Sequence, residues 1–97
     1  MIRHIVFLKL KDSKSKDEKV KSLFVQLKEL KTKIDVILEL RAGMNISKSA
    51  NAYDICLETT FNSIEDLDIY RKHSEHVKVL NFINKHKESI AVVDYNL

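Results

Sequence analysis

The stretch Ile2-Arg3-His4-Ile5-Val6-Phe7-Leu8-Lys9-Leu10 decides how this chain folds, because apolar side chains occur on both of its alternating faces. A period of two residues predicts a β-strand. The more apolar face consists of Ile2, His4, Val6, Leu8 and Leu10, and the other consists of Arg3, Ile5, Phe7 and Lys9. We expect helices to cover the first face, while Ile5 and Phe7 on the second face need a different cover.

Helix and strand patterns follow one another along the rest of the chain and predict an α+β fold. Helices are expected from Lys16 to Lys33, after the capping box Ser15-x-x-Glu18, and again from Ser63 and from Ser74. Period-two patterns predict strands over residues 36–44, 53–58 and 90–95. The order β-α-β-β-α-α-β corresponds to a ferredoxin-like, four-stranded antiparallel sheet with helices on one face. Six apolar side chains are expected in its core: Tyr53, Phe61, Val77, Leu80, Phe82 and Ile83.

The face of the sheet that lacks helices predicts a homodimer. Ile5 and Phe7 are expected there, together with Ile37 and Cys56. A second copy laid sheet to sheet would remove this apolar surface from water and recover on the order of several kcal/mol, at about 25 cal/mol per Å². The interface would be partly polar, because six charged side chains are expected on the same face: Arg3, Lys9, Glu39, Arg41, Asp54 and Glu58.

Composition narrows the class of protein. A chain of 97 residues with 44% apolar and 32% charged residues is typical of a single globular domain. The net charge of +3 is spread over solitary lysines, which predicts a solvated surface and no nucleic-acid partner. Gly43 is the only glycine, which excludes glycine-rich phosphate loops. With one cysteine and no apolar run of about 18 residues, we expect no internal disulfide, no membrane insertion and a cytoplasmic location.

Proton-handling side chains cluster in Tyr70-Arg71-Lys72-His73-Ser74-Glu75-His76, and His4 lies on the more apolar face of the first strand. An imidazole titrates near neutral pH, and a phenol can donate a hydrogen bond to a developing enolate. One hypothesis is that His4, Tyr70 and His76 meet over one cavity, and the alternative is a small polar network that joins helix to sheet. A metal site is not expected, because no cysteine or acidic pair completes a ligand set around the histidines.

Several motifs occur in an order that is found in a known family. They are residues 1–12, Gly43-x-Asn45, Tyr53-Asp54-Ile55 before Phe61, Asp66-Leu67-x-x-Tyr70-x-x-His73-x-x-His76, and Val93-Asp94-Tyr95. Together they resemble the stress-responsive A/B barrel (Dabb) domain over residues 1–97. The resemblance implies a ferredoxin-like protomer and a dimeric α+β barrel.

The catalytic branch that the chain resembles is the plant polyketide cyclases such as olivetolic acid cyclase, which close a polyketide by intramolecular aldol condensation without a cofactor. The resemblance places the working positions on His4, Tyr70 and His76. His76 would act as the general base, Tyr70 would donate to the enolate oxygen, and His4 would orient the substrate carbonyl. A pocket for a small hydrophobic ligand would lie between sheet and helices, lined by Leu67, His73 and Val77.

One position departs from the family's usual His-Pro-x-His pattern, because Ser74 replaces the proline. Since serine favours helix caps, we expect Ser74 to cap the last helix. A non-catalytic, stress-associated homodimer is equally compatible with the sequence. Haem-degrading monooxygenases of the same barrel rely on a tryptophan that this chain lacks, and Gly43 alone cannot supply the RNP1 pattern of an RNA-recognition sheet.

Overall fold

Four strands and three helices make up the structure, a computed structural model that describes all 97 residues. The elements are β1 (Ile2–Leu10), α1 (Lys16–Lys33), β2 (Glu39–Met44), β3 (Ile55–Phe61), α2 (Ile64–Lys72), α3 (Ser74–His86) and β4 (Lys87–Asn96). The sheet order is β2-β3-β1-β4, and every neighbouring pair is antiparallel. The predicted ferredoxin-like α+β fold is confirmed.

Strand β1 lies inside the sheet, between β3 and β4, and separates a buried layer from an open one. On its more apolar face Ile2, His4 and Leu8 are buried under the helices. On the opposite face Ile5 is half-buried and Phe7 is exposed. The two faces predicted from the alternation are therefore the two faces of the folded strand.

Each helix buries one apolar stripe against the sheet. The buried members are Leu23, Leu27 and Leu30 in α1, Leu67 and Tyr70 in α2, and Val79 and Ile83 in α3. Their spacing of three or four residues places each set on one helix face. Full burial of one such side chain contributes about 1.5–3 kcal/mol, so these stripes are the main attachment of the helices to the sheet.

The predicted start of the second strand was wrong. Strand β2 begins at Glu39, because the chain turns over residues 35–36 after α1. The amide of Ile37 donates to the carbonyl of Ile34 at 3.3 Å, and both side chains enter the core. Ile37, which was expected on the open face, is thus only 2% exposed among the buried core residues.

Two expected core residues lie elsewhere. Tyr53 precedes β3 and packs against Phe7 on the open face, with ring centroids 6.0 Å apart, while its hydroxyl hydrogen bonds to Ser89 at 3.1 Å. Val77 is 41% exposed, because α3 turns Val79 towards the sheet in its place. Phe61 and Ile83 are buried as predicted, and Leu80 and Phe82 pack at the margin of the core.

The residues that cap the three helices agree with the sequence-based predictions only for α2. Ser63 caps α2 as predicted, since its hydroxyl accepts from the amide of Asp66 at 3.2 Å. Ser15 precedes α1 without a side-chain capping bond, so the predicted capping box does not form. The cap of α3 is His73 and not Ser74: its extended backbone directs Nδ1 to the amide of Glu75, from which it accepts at 3.1 Å.

None of the three helices combines the length and the apolar character that crossing a membrane requires.

Candidate functional site

The rings of His4, Tyr70 and His76 converge where α2 and α3 meet above β1. Tyr70 lies in the last turn of α2, and His76 lies in the first turn of α3. The Tyr70 ring centroid is 4.2 Å from that of His76 and 6.0 Å from that of His4. Because the chain breaks between the two helices at His73, the ends of both helices bring their aromatic side chains to one place on the sheet.

Tyr70 is the centre of this cluster. Its side chain is 1% exposed and packs on the ring of Phe61 in β3, with centroids 5.1 Å apart. Burial raises the pKa of the Tyr70 hydroxyl, because the phenolate would lose its hydration. The hydroxyl therefore stays protonated at neutral pH and is restricted to the chemistry of a hydrogen-bond donor or acceptor.

The pKa of the His76 imidazole shifts in the opposite direction from that of Tyr70, and this group too favours its uncharged form. Burial is the largest cause that lowers its pKa, and electrostatic interactions with His4, Arg71 and His73 lower it further. A hydrogen bond to the carbonyl of Arg71, 3.0 Å from Nδ1, acts in the other direction. Since a carbonyl only accepts, Nδ1 carries the proton and Nε2 is left with a free lone pair. Such a nitrogen can act as a base.

A charged chain holds the His4 imidazole from the side of β4. Nδ1 of His4 donates to the carboxylate of Asp94, which lies directly opposite on β4. The second oxygen of Asp94 accepts from Nη2 of Arg71 at 3.0 Å, and Nη1 of Arg71 lies 3.4 Å from Asp68. His4 is thereby fixed in one tautomer, and Arg71 ties α2 to the edge of the sheet.

Asp94 is the residue that sequence reasoning missed. In the sequence it is part of the motif Val93-Asp94-Tyr95, which gives it no role of its own. His4 and Asp94 are separated by 90 positions, and only the antiparallel register of β1 and β4 makes them neighbours. A carboxylate on the same face as a buried histidine was the available signal, because a buried imidazole needs a hydrogen-bonding partner.

The three expected pocket residues take different positions around the cluster. Leu67 is buried in the core one turn before Tyr70. The His73 ring is half-buried and its Nδ1 is used by the cap of α3, while Val77 is largely exposed beside His76. Contact of these side chains with a ligand stays a prediction.

Two cavities lie outside the cluster. One of about 480 Å³ opens on the helix-free face and includes Phe7, Gly43, Tyr53 and Cys56 in its wall. The other, about 730 Å³, lies between the start of α1 and the loop before β3, where Lys16 pairs with Asp54 at 3.5 Å. Neither is lined by His4, Tyr70 or His76.

The cluster borders an uncovered part of the outer strand β4. Val92 pairs with Val6 of β1 and shares the helix-facing side with Asp94, yet it is 51% exposed. The helices therefore leave this part of β4 uncovered. A small molecule approaching from this edge would meet Asp94 and Arg71 first and the rings behind them.

No group of three or more histidine, cysteine, aspartate or glutamate side chains is placed to hold a metal ion. Nδ1 of His4 and Nδ1 of His73 both have partners within the protein. The cluster can make hydrogen bonds, and Nε2 of His76 has a lone pair that can accept a proton.

Comparison with known proteins gives a family match and close structural relatives. The model of the Stress responsive A/B Barrel Domain (Dabb) matches residues 2–97. The stress-response A/B barrel domain-containing protein DABB1 of Arabidopsis thaliana is 30% identical over 98 residues, which cover 98% of this chain and 46% of that protein. The chain thus spans about half the length of this curated relative.

Two solved structures have the same fold over almost the whole chain. A dimeric protein of unknown function with a ferredoxin-like fold from Bacteroides fragilis is 32% identical, covers 99% of this chain and 95% of its own, and has a TM-score of 0.87. A hydroxynitrile lyase from Passiflora edulis is 20% identical with a TM-score of 0.85, over 99% of this chain and 92% of its own. At that identity the likeness to the lyase shows the fold alone.

Proposed function

The chain belongs to the stress-responsive A/B barrel domain family, and on that premise we propose that it binds a small organic carbonyl compound at the cluster of His4, Tyr70 and His76 and catalyses proton transfer on it without a cofactor. The observation that supports this proposal is the opposite protonation preference of two touching rings. The pKa of His76 is lowered and that of Tyr70 is raised, so a base and a donor coexist at neutral pH.

In the proposed reaction His76 Nε2 removes a proton from the carbon next to a substrate carbonyl. The electron pair of that C–H bond forms an enolate, whose oxygen accepts a hydrogen bond from the Tyr70 hydroxyl. In an aldol step the enolate carbon then attacks a second carbonyl carbon, and the new alkoxide takes the proton back from the His76 imidazolium. The proton that His76 removes returns to the product, so the reaction needs no redox partner.

Asp94 and Arg71 support this proposal by holding His4. The His4 imidazole, fixed through Nδ1, would turn its Nε2 towards the substrate carbonyl. A substrate entering beside Val92 would have its polar end near this nitrogen and its apolar end against the exposed Val77. An aromatic or alkyl carbonyl compound fits this division between polar and apolar surroundings.

Cyanohydrin cleavage is a suitable assay, because, like the proposed reaction, it needs a base that removes a proton from the substrate. A base removes the hydroxyl proton, the C–CN bond breaks, the carbonyl forms and cyanide leaves to take up the proton. One protein of this fold is a hydroxynitrile lyase. Mandelonitrile is a practical probe, since the benzaldehyde product is detected by its absorbance, and an aromatic β-hydroxyketone tests the aldol direction in reverse.

The deciding experiment compares His76→Ala with His86→Ala. His86 is a half-buried histidine that packs on Phe82 far from the cluster, so its variant controls for loss of an imidazole. We expect His76→Ala to lose at least about 100-fold in rate, the usual contribution of a general base, and His86→Ala to keep the wild-type rate. Equal rates in both variants, or none above buffer in the wild type, would contradict the proposal.

A second candidate function is a non-catalytic, stress-associated homodimer. It is supported by the position of the two described cavities, which lie away from the cluster, and by the near-complete burial of Tyr70. In that case the rings form a polar network that joins α2, α3 and β1. His76→Ala would then lower the melting temperature markedly and leave ligand-induced NMR shifts unchanged.

Assembly through the helix-free face is proposed for either function. Ile5, Phe7 and Val93 lie on it at least partly exposed, and a solved relative that is 32% identical is described as dimeric. Light scattering should give twice the 11.3 kDa chain mass at micromolar concentration, and a species of 11.3 kDa alone would rule this out. The single free Cys56 supports the further proposal of a cytoplasmic location.

A further inference from the structure

Gly43 occupies an unusual position for the only glycine of the chain. It lies within β2 and pairs with Cys56 of β3. Glycine inside a strand weakens the strand, because it loses more conformational entropy than other residues and contributes no side chain to the packing. A glycine in such a place usually has a specific reason.

The protomer itself does not supply that reason. No glycine or other residue has a positive φ, so the backbone of Gly43 suits any L-residue. A Cβ atom added at Gly43 would meet no other atom within 4 Å, so no neighbour in the chain excludes a side chain. The remaining reason for a strand glycine is close approach by something from outside.

Gly43 opens into the cavity of about 480 Å³ on the helix-free face. Gly43, Cys56 and Phe7 lie side by side on neighbouring strands and form its floor, and Tyr53 stands beside Phe7 as one wall. No charged residue lines this hollow, whose polar members are serine, asparagine, tyrosine and cysteine side chains. Its chemistry suits an uncharged, largely apolar group.

The surface around the hollow is suited to a second copy of the same chain. Side chains of both charges lie on this face and in part pair already, as Glu39 does with Arg3 at 3.5 Å and with Arg41 at 3.4 Å. Asp54 was expected on this face, but it pairs with Lys16 at the start of α1 instead. A face that carries charges of both signs can meet its own copy without net repulsion.

We propose that the hollow above Gly43 is a socket for an uncharged side chain of a second copy, and that Gly43 keeps this socket open. The inference rests on the homodimer proposed above and makes Gly43 responsible for the fit between the two copies. The inserted group is one of the exposed side chains of β4 on the same face, namely Val93 or Tyr95. A side chain at residue 43 would occupy the space that the insert needs.

The test is a series of variants at residue 43, studied by sedimentation over a wide range of protein concentration. Gly43→Leu fills the socket, Gly43→Ala adds only a methyl group, and Ser22→Leu adds the same leucine at an exposed position of α1. We expect the dimer dissociation constant to rise at least about tenfold for Gly43→Leu and to change less than about threefold for the other two. Circular dichroism should show an intact fold in all three, because residue 43 has open space for a side chain.

The possible results separate the socket from the dimer itself. A wild-type protein that stays monomeric would overturn both proposals. A wild-type dimer whose dissociation constant is unchanged by Gly43→Leu would overturn the socket and leave the dimer standing. Native mass spectrometry of the wild type adds a third result: a small molecule held by the dimer and absent from dimeric Gly43→Leu would assign the hollow to a ligand and overturn the socket.

Discussion

Replacing Asp94 with alanine tests the charged chain that holds His4. The substitution leaves Nδ1 of His4 without an acceptor, in a side chain that is only 8% exposed, and frees Nη2 of Arg71. A buried polar group that loses its partner costs about 1–3 kcal/mol. Asp94 is 31% exposed and Arg71 is 45% exposed, so water can replace part of what is lost.

We therefore expect Asp94→Ala to lower the free energy of unfolding by about 1–2 kcal/mol, nearly all of it through His4. For a domain of this size that corresponds to a fall in melting temperature of about 5–12 °C. Thermal unfolding followed by circular dichroism at one fixed protein concentration measures the change, since dimerisation makes the melting temperature depend on concentration.

The matched control is Asp68→Ala, which removes the other carboxylate that contacts Arg71. Asp68 is 51% exposed and lies 3.4 Å from Nη1, so its loss should cost at most about 0.5 kcal/mol. Equal losses in the two variants would refute the argument, because the cost of Asp94→Ala would then come from Arg71. A double mutant of His4→Phe and Asp94→Ala should show non-additive losses, as expected for contacting residues.

The remaining predictions concern the two helix ends at the cluster. Folding lowers the pKa of His76 below its ordinary 6.5, so on acidification the unfolded chain takes up the proton first. The contribution of His76 to stability is therefore complete above about pH 6.5 and is lost as the pH falls. His76→Gln should weaken this loss in thermal melts. Tyr70→Phe should cost less than about 1.5 kcal/mol in urea unfolding, against about 3–5 kcal/mol for Tyr70→Ala, since only the latter leaves a cavity. His73→Ala should cost about 0.5–2 kcal/mol by loss of the cap of α3, and a cost below that of Ser74→Ala would contradict this assignment. Ser74→Pro should be tolerated in the same melts, because residue 74 is the first residue of α3, where proline fits.

Alternation and helical periodicity predicted the order of the elements well, and they failed where a tertiary contact overrode the local pattern. Val36 and Ile37 continue the alternation of β2, but the side chain of Ile37 is drawn into the core by the turn after α1. Val77 fits an apolar helix stripe, yet the orientation of α3 is set by Val79 and Ile83. A period detected in sequence does not by itself determine which member of a stripe faces the sheet.

The candidate site was predictable in its residue types and not in its connections. The sequence indicates His4, Tyr70 and His76 because proton-handling side chains cluster there and because the family resemblance places working positions on them, and the structure brings their rings together. Their catalytic role stays a prediction. The sequence offers Asp94 as a carboxylate on a strand but does not place it opposite His4, because the partner of His4 depends on strand register. The cap at His73 likewise depends on a backbone conformation that the sequence does not show.

The register of the outer strand β4 links the candidate site to the open face. Side chains along β4 alternate, so Asp94 faces the helices while Val93 and Tyr95 face the open side. A slip of one residue against β1 would move Asp94 to the open face and place an aliphatic or phenolic side chain against His4. The hydrogen bond between His4 and Asp94 opposes that slip, because the slip would leave a buried imidazole without its acceptor and Arg71 with only one of its two carboxylate partners. One polar pair thus helps to keep Asp94 beside His4 on the helix side of β4 and Val93 and Tyr95 on the open side.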